Sequence, residues 1–186
     1  EEDVQSFVRG TFLEGAPCLP FSSQDPALAQ DFREKLQSFI QDLFPEPPVR
    51  DLTRPFKLSI DRAFTMRGFG TVVTGTAAAG RLAAGDEVEL LPDGHRARVR
   101  GIQVHSQDVQ EVQAGSRAAI NLQGIDKADI QRGQVLARRG ELVPSSMFDA
   151  TASILGNLLR PIEQRSKALV HVGTEQLLAS VVLLDR

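Results

Sequence analysis

Asp61, Arg62 and Phe64 have the types and the spacing for chemistry that most of this 186-residue chain lacks. They stand where a strand gives way to a corner, within the stretch from Pro55 to Thr76. Phe56, Leu58 and Ile60 alternate there with Lys57, Ser59 and Asp61, the period-2 signature of a half-buried strand. Gly68 and Gly70 relax the backbone, and Thr71 to Thr74 then form a β-branched run that suits a pleated surface. A carboxylate, a guanidinium and a ring at such a strand end can hold a small ligand group.

Groups that make and break bonds are missing from the sequence. It contains no Gly-x-x-x-x-Gly-Lys-Ser/Thr loop to cradle phosphates and no Asn-Lys-x-Asp for a guanine. Gly68, Gly70 and Gly75 do not fit Gly-x-Gly-x-x-Gly, because Val73 occupies the place of the last glycine; they read as turn glycines of a barrel. His95, His105 and His171 lie far apart without metal-ligand spacing and read as structural. The single Cys18 excludes an internal disulfide framework and a cysteine zinc site. It falls in an expected buried strand, as an inert core residue. No nucleophile has a nearby base. The chain as given is therefore expected to be no enzyme, with no catalytic residue, metal or cofactor of its own.

Composition sets the class. Apolar residues make up 41% and charged residues 24%, the balance of an ordinary soluble globular chain. The net charge of −3 argues against attachment to nucleic acid by bulk positive charge, but leaves room for a local basic face. No apolar run approaches the roughly 20 residues that span a bilayer. The acidic start, Glu1-Glu2-Asp3, is unlike a signal peptide. The expected compartment is the cytoplasm, with no membrane partner, and the missing initiator Met suggests a fragment or a processed product.

The elements that must position these residues fall into three parts, expected at 1–48, 51–140 and 144–186. In the first, residues 1 to 9 read as the end of a helix stopped by Gly10, and Cys18 to Ser23 as a short buried strand. Asp25 caps a helix with Pro26 at its first position. Leu28, Phe32, Leu36, Phe39, Ile40 and Leu43 give that helix an apolar face as far as Phe44, which demands a partner layer upstream. Pro45-Glu-Pro-Pro48 is a stiff linker. Strands are then expected at Glu87–Leu91, His95–His105, Arg117–Leu122 and Gln134–Ala137, with a hairpin turn at Pro92-Asp93-Gly94 and a turn or single helical turn from Ile125 to Gln131. Six or so short strands at this spacing suggest a closed barrel. After Pro144, three more strands are expected at Met147–Leu155, Ala168–Val172 and Leu178–Leu184, part of a barrel with an exposed apolar edge.

Several stretches together resemble the second domain of translational GTPases of the elongation factor Tu type. They are Ile60-Asp-Arg-Ala-Phe64, Gly68-Phe-Gly-Thr-Val-Val-Thr-Gly-Thr76, Gly80-Arg-Leu-Ala-Ala-Gly-Asp86, Ala114-Gly115 with Asn121-Leu122, and Ile130-Gln-Arg-Gly-Gln-Val-Leu136. Within that family the chain is similar to the bacterial selenocysteine-specific factors, SelB. Asp61-Arg62 and Ala114-Gly-Ser-Arg117 point that way, as do Ala168-Leu-Val-His-Val-Gly173 and Ala179-Ser-Val-Val-Leu-Leu184 in the tail. The resemblance implies a mainly β fold. An elongation factor Tu-like second-domain β-barrel would be preceded by the last strand and helix of an α/β GTP-binding domain and followed by a partial third-domain β-barrel.

The resemblance also implies a role. The whole protein would carry selenocysteinyl-tRNA to the ribosome in a GTP-dependent way, with GTP and Mg²⁺ bound by the upstream GTP-binding domain. The aminoacyl pocket would comprise Asp61, Arg62, Phe64, Thr74 and Arg117. Two guanidiniums would favour a selenolate through charge-assisted hydrogen bonds, with Asp61 orienting one of them. On the residues alone, Arg62 and Arg117 read first as solvated surface arginines, and Phe64 equally as pocket wall or as core. Ser22 and Ser23 fall in the last guanine-contacting loop, where the family usually has serine then alanine. Arg96, Arg98 and Arg100 share a strand face that could track the tRNA backbone or be a solvated charged face. Two other functions fit the pattern: the second domain of a general elongation or initiation GTPase, and a β-barrel that only binds proteins.

Overall fold

The computed structural model describes residues 2–45, 50–153 and 161–184. The chain forms two units, Glu1–Val49 with Asp149–Ile162 and Arg50–Phe148 with Glu163–Arg186.

The first unit holds two helices, α1 (Glu2–Val8) and α2 (Pro26–Leu43). The Asp25 carboxylate accepts from the Ala27 and Leu28 amides at 2.9 and 3.2 Å, satisfying the free donors of the first turn of α2. Neither helix has a buried residue, and Leu28, Phe39, Ile40, Leu43 and Phe44 of the expected apolar face are exposed. Cys18 to Ser23, expected as a buried strand, forms no strand, and Cys18 is only half-buried. A strand exists only when a neighbouring edge takes up its backbone groups, and no described segment pairs with this one.

The second unit is built on eleven strands: β1 (Lys57–Met66), β2 (Gly70–Ala79), β3 (Arg81–Ala83), β4 (Glu87–Leu91), β5 (His95–Val104), β6 (Gln107–Val109), β7 (Glu111–Gln113), β8 (Arg117–Gln123), β9 (Val135–Arg138), β10 (Lys167–Val172) and β11 (Glu175–Ser180). Six of them run in the order β4-β9-β1-β2-β8-β5, and pairing of β4 with β5 closes the ring. The expected barrel is therefore present, and its closure leaves no long open edge. β6 extends the end of β5, and β3 pairs with β7 in a small separate sheet. The turn expected between Ile125 and Gln131 contains a 3₁₀ turn at Lys127–Asp129.

Alternation fills the barrel. Phe56, Leu58, Ile60, Val73, Val88, Leu90, Val99, Ile102, Ile120 and Leu136 point inward and are essentially fully buried. Each contributes about 1.5–3 kcal/mol by leaving water. Gly68 and Gly70 adopt the positive φ values, 84° and 90°, that the corner needs. Gly75 is no turn residue. It sits in the middle of β2, where a Cβ would collide with the Ser59 carbonyl and lie 2.6 Å from Leu58 Cδ2. A bare α-carbon there lets β1 and β2 approach closely.

Beyond Pro144 the expectation is only partly met. β10 and β11 form an antiparallel hairpin around Gly173-Thr174, with Val172 opposite Glu175 and Lys167 opposite Ser180. The second hairpin strand thus begins and ends earlier than Leu178–Leu184. The Met147–Leu155 strand does not form over residues 147–153, and Ile154 and Leu155 lie outside the described residues. The hairpin is apolar and exposed at Leu169, Leu177 and Leu178, as the pattern implies.

Candidate aminoacyl-binding face

The outer face of β1, β2 and β8 brings together Asp61, Arg62, Phe64, Thr74 and Arg117, the five residues expected at a pocket, and a bulge in β1 makes this so. Ile60 pairs with Gly75 and Arg62 with Thr74, so Asp61 is an extra residue in the ladder. Ile60 faces the core before the bulge and Ala63 packs against the core after it. Both intervening side chains, Asp61 and Arg62, are left on the outside. Strict alternation from Leu58 and Ile60 would have aimed Arg62 into the barrel.

The outer face is a small grid. Ser59, Thr76 and Arg117 lie across one row, Arg62, Thr74 and Ala119 across the next, and Phe64, Val72 and Asn121 across the third. Cross-strand neighbours in such rows sit about 4.5–5.5 Å apart. Phe64 is 37% exposed on this face, away from the core.

Asp61 is the hub of the grid. Its carboxylate accepts from the Thr74 hydroxyl at 2.7 Å and from Arg117 Nη2 at 3.1 Å, and Arg117 Nη1 binds its other oxygen. The two guanidinium bonds make a bidentate pair, a geometry that fixes orientation as well as charge. Partial burial pushes the Asp61 carboxyl up. Hydrogen bonds from Arg117 and Thr74, and then the charges of Arg117 and Arg62, outweigh it and hold the group below its ordinary value. Asp61 in turn raises Arg117 above its ordinary value. Arg62 adds its field but belongs to none of the ion pairs found among the described residues. Two guanidiniums against one carboxylate leave the cluster with one net positive charge. Arg117 is committed to Asp61, so Arg62 carries that charge.

Asn121 enters the sequence reading only within a family motif, not as a site residue. It lies two residues beyond Ala119 on the same face of β8, and its side-chain oxygen is buried without a hydrogen-bond partner in the described structure. Such an acceptor costs roughly 1–3 kcal/mol unless something donates to it. The available signal was an asparagine inside the apolar run Ala118-Ala-Ile-Asn-Leu122, a residue type depleted in strands.

The other arginines lie elsewhere. Arg98 pairs across from Gln123 at the far end of β8, about 20 Å along the strand from Arg117 at 3.3 Å per residue. Arg96 and Arg98 stand opposite Glu89 and Glu87 on β4, and Arg139 bonds Glu87 at 3.1 Å. Glu87, Arg96, Arg98 and Arg139 border a shallow cavity of about 260 Å³. Arg100 is the extra residue of a second bulge, between Val99 and Gly101, and reaches the Phe69 carbonyl at 3.5 Å instead. The three arginines thus do not form one stripe, and two of them stand opposite acidic residues in the register. Ser22 and Ser23 belong to the first unit, where Ser22 Oγ accepts from the Gln24 amide at 3.3 Å. Among the described residues no cluster of three or more His, Cys, Asp or Glu side chains could hold a metal, and no helix is long and apolar enough to cross a membrane.

Residues 70–137 match the family described as Elongation factor Tu domain 2. Over 188 aligned residues, the whole of this chain, the sequence is 41% identical to the selenocysteine-specific elongation factor of Desulfomicrobium baculatum. The chain belongs to the selenocysteine-specific branch of the elongation factor Tu-like family. It spans 28% of that relative's length. The structure of SelB from Methanococcus maripaludis in complex with the GTP analogue GPPNHP is similar with a TM-score of 0.73 and 26% identity, over 95% of this chain and 39% of that one. The apo form of the same factor is similar with a TM-score of 0.60 and 31% identity, over 74% and 30%. The family is one of translational GTPases. Asp61, Arg62, Thr74 and Arg117 all fall within or beside the matched barrel.

Proposed function

We propose that the outer face of β1, β2 and β8 holds the aminoacyl end of selenocysteinyl-tRNA, and that the whole protein delivers this tRNA to the ribosome. The observation that carries the reading is the Asp61–Arg117 pair beside an uncommitted Arg62, a surface cluster with one net positive charge. A selenol is largely ionised near neutral pH, whereas serine and cysteine side chains are largely neutral. A site with excess positive charge therefore prefers the selenocysteinyl ester. Arg62 meets the anion, Asp61 and Thr74 hold Arg117 in place, and Phe64 walls the site on the side of Val72. Charge-assisted hydrogen bonds to such an anion contribute roughly 1.5–3 kcal/mol each when sheltered, and less at an open surface.

The division into 1–48, 51–140 and 144–186 belongs to this proposal. It assigns the first part to the end of a GTP-binding domain, with Ser22 and Ser23 next to the guanine, and the last part to a third domain. GTP and Mg²⁺ would bind upstream of this chain, and the protein would work in the cytoplasm. Arg96, Arg98 and Arg100 would meet tRNA phosphates at most in part, because Glu87 and Glu89 stand against two of them.

The test is binding to selenocysteinyl-tRNA and seryl-tRNA by the chain and by Arg62→Ala and Arg117→Ala. The expected result is a preference for selenocysteinyl-tRNA that Arg62→Ala removes. Arg117→Ala should weaken it too, by leaving the Asp61 carboxylate unpaired against the anion. Equal affinity for the two tRNAs, or a preference that survives both substitutions, would refute the reading.

A further inference from the structure

The tip of the β10–β11 hairpin rests on β1 next to the bulge. The Thr174 hydroxyl donates to the Ile60 carbonyl at 2.6 Å, and the Gly133 amide donates to the same oxygen at 3.0 Å. The Ile60 amide donates to the Gln134 carbonyl at 2.9 Å. A Cβ on Gly173 would lie 2.5 Å from Ser59 Oγ, so any larger residue at 173 would have to displace the Ser59 side chain. Its φ of +61° independently favours glycine. Ser59 is in the row of Thr76 and Arg117, so the tip borders the outer face itself. The Glu175 side chain covers Gly133 from the other side.

One covalent fact gives this contact its reach. The Ile60 carbonyl and the Asp61 amide belong to one planar peptide unit. A donor that fixes the carbonyl therefore fixes the plane from which Asp61 leaves the ladder. The bulge leaves Asp61 without a partner on β2, so the bonds to the Ile60 carbonyl are what hold this plane on its other edge. We propose that Thr174 is a positioning residue for the Asp61–Arg117 pair, so that the hairpin sets the selectivity of the outer face. The selectivity part of this inference rests on the function proposed above; the positioning part does not.

The full chain is compared as wild type, Thr174→Val, which keeps the shape and removes the donor, and Thr174→Ser, which restores it. Two readouts are taken. The first is the pH titration of the Asp61 carboxyl by NMR, with Asp51, held low mainly by hydrogen bonds from Thr53, as the internal reference. Thr74, Arg62 and Arg117 are the groups that face Asp61. Thr174→Val should move the Asp61 midpoint upward, leave Asp51 unmoved, and be reversed by Thr174→Ser. The second is the affinity ratio of selenocysteinyl-tRNA to seryl-tRNA, which Thr174→Val should lower about three- to tenfold, the scale of one lost hydrogen bond, without changing the affinity for deacylated tRNA. An Asp61 midpoint identical in wild type and Thr174→Val, or a failure of serine to rescue it, overturns the inference whatever the tRNA ratio does. A moved midpoint in a chain whose wild type does not discriminate supports positioning and rejects the aminoacyl reading instead. A discriminating wild type with an unmoved midpoint does the reverse.

Discussion

Asp61→Asn isolates the charge at the centre of the cluster. The amide is close in shape to the protonated carboxylic acid, so it imitates the state that Asp61 reaches at low pH. The substitution removes a bidentate pair whose side chains are 22% exposed at Asp61 and 54% exposed at Arg117. At that exposure the pair contributes about 0.5–1 kcal/mol. The Thr74 bond to a charged acceptor, half sheltered, adds about 1 kcal/mol. The variant should therefore be about 1.5–2 kcal/mol less stable at pH 7, a fall of roughly 5–10 °C in Tm for a unit of this size. The pH dependence follows from the direction of the shift. Asp61 is held below its ordinary value in the folded state. Its contribution is therefore present above the unfolded value of about 3.9, and is lost as pH falls through the lower folded value. Thermal unfolding at pH 7, 5 and 3 should show the two curves apart at 7 and 5 and converging at 3. A gap of equal size at pH 3 and pH 7 would mean that packing rather than charge is lost, and the electrostatic account of the cluster would fail.

Other substitutions probe separate links. Asn121→Leu removes a buried acceptor without a partner, so it should stabilise the isolated barrel by about 1–2 kcal/mol in urea unfolding. If the face binds a ligand that donates to this oxygen, the same change weakens that ligand, whereas a destabilised variant would show that the oxygen is satisfied after all. Gly75→Ala places a methyl group against the Ser59 carbonyl and Leu58, and should cost about 2–3 kcal/mol by forcing β1 from β2. A stability change under 0.5 kcal/mol would show that the two strands yield freely there.

The barrel was largely legible in the sequence because its strands obey period 2. Glu87–Leu91 stands as expected, and His95–Val104 and Arg117–Gln123 begin at the expected residues and end within one of them. The short strands β3, β6 and β7 were not separated from their turns, since three residues are too few to show a period. Ring closure by β4–β5 and the pairing of β1 with β9 join segments that the chain does not place side by side, and no local pattern records them. Cys18–Ser23 failed for the converse reason: its apolar composition suits a strand, but composition supplies no neighbouring edge. The family resemblance named the candidate residues before any geometry did, and the hydrogen bonds from Thr74 and Arg117 to Asp61 are what the fold adds.

Two bulges explain why the arginines divide as they do. Alternation alone gives Arg96, Arg98 and Arg100 one outer face and sends Arg62 inward with Leu58 and Ile60. One extra residue in β1 reverses the second expectation, and one extra residue in β5 breaks the first by turning Arg100 toward Phe69. A bulge can do this because it changes the count of residues between two core contacts without changing the core. Ile60 and Ala63 keep their inward places while Asp61 and Arg62 between them both become available outside. The positions that carry the proposed chemistry are thus the ones at which a period-2 reading is least reliable. The cost of such a bulge is a residue without a partner on β2. Here the peptide plane leading into that residue gains restraint from Gly133 and Thr174, residues at least 70 positions further along the chain. A site of this kind cannot be read from the strand that bears it, and grafting β1 and β2 alone onto another barrel would carry over the residues without the geometry of Asp61.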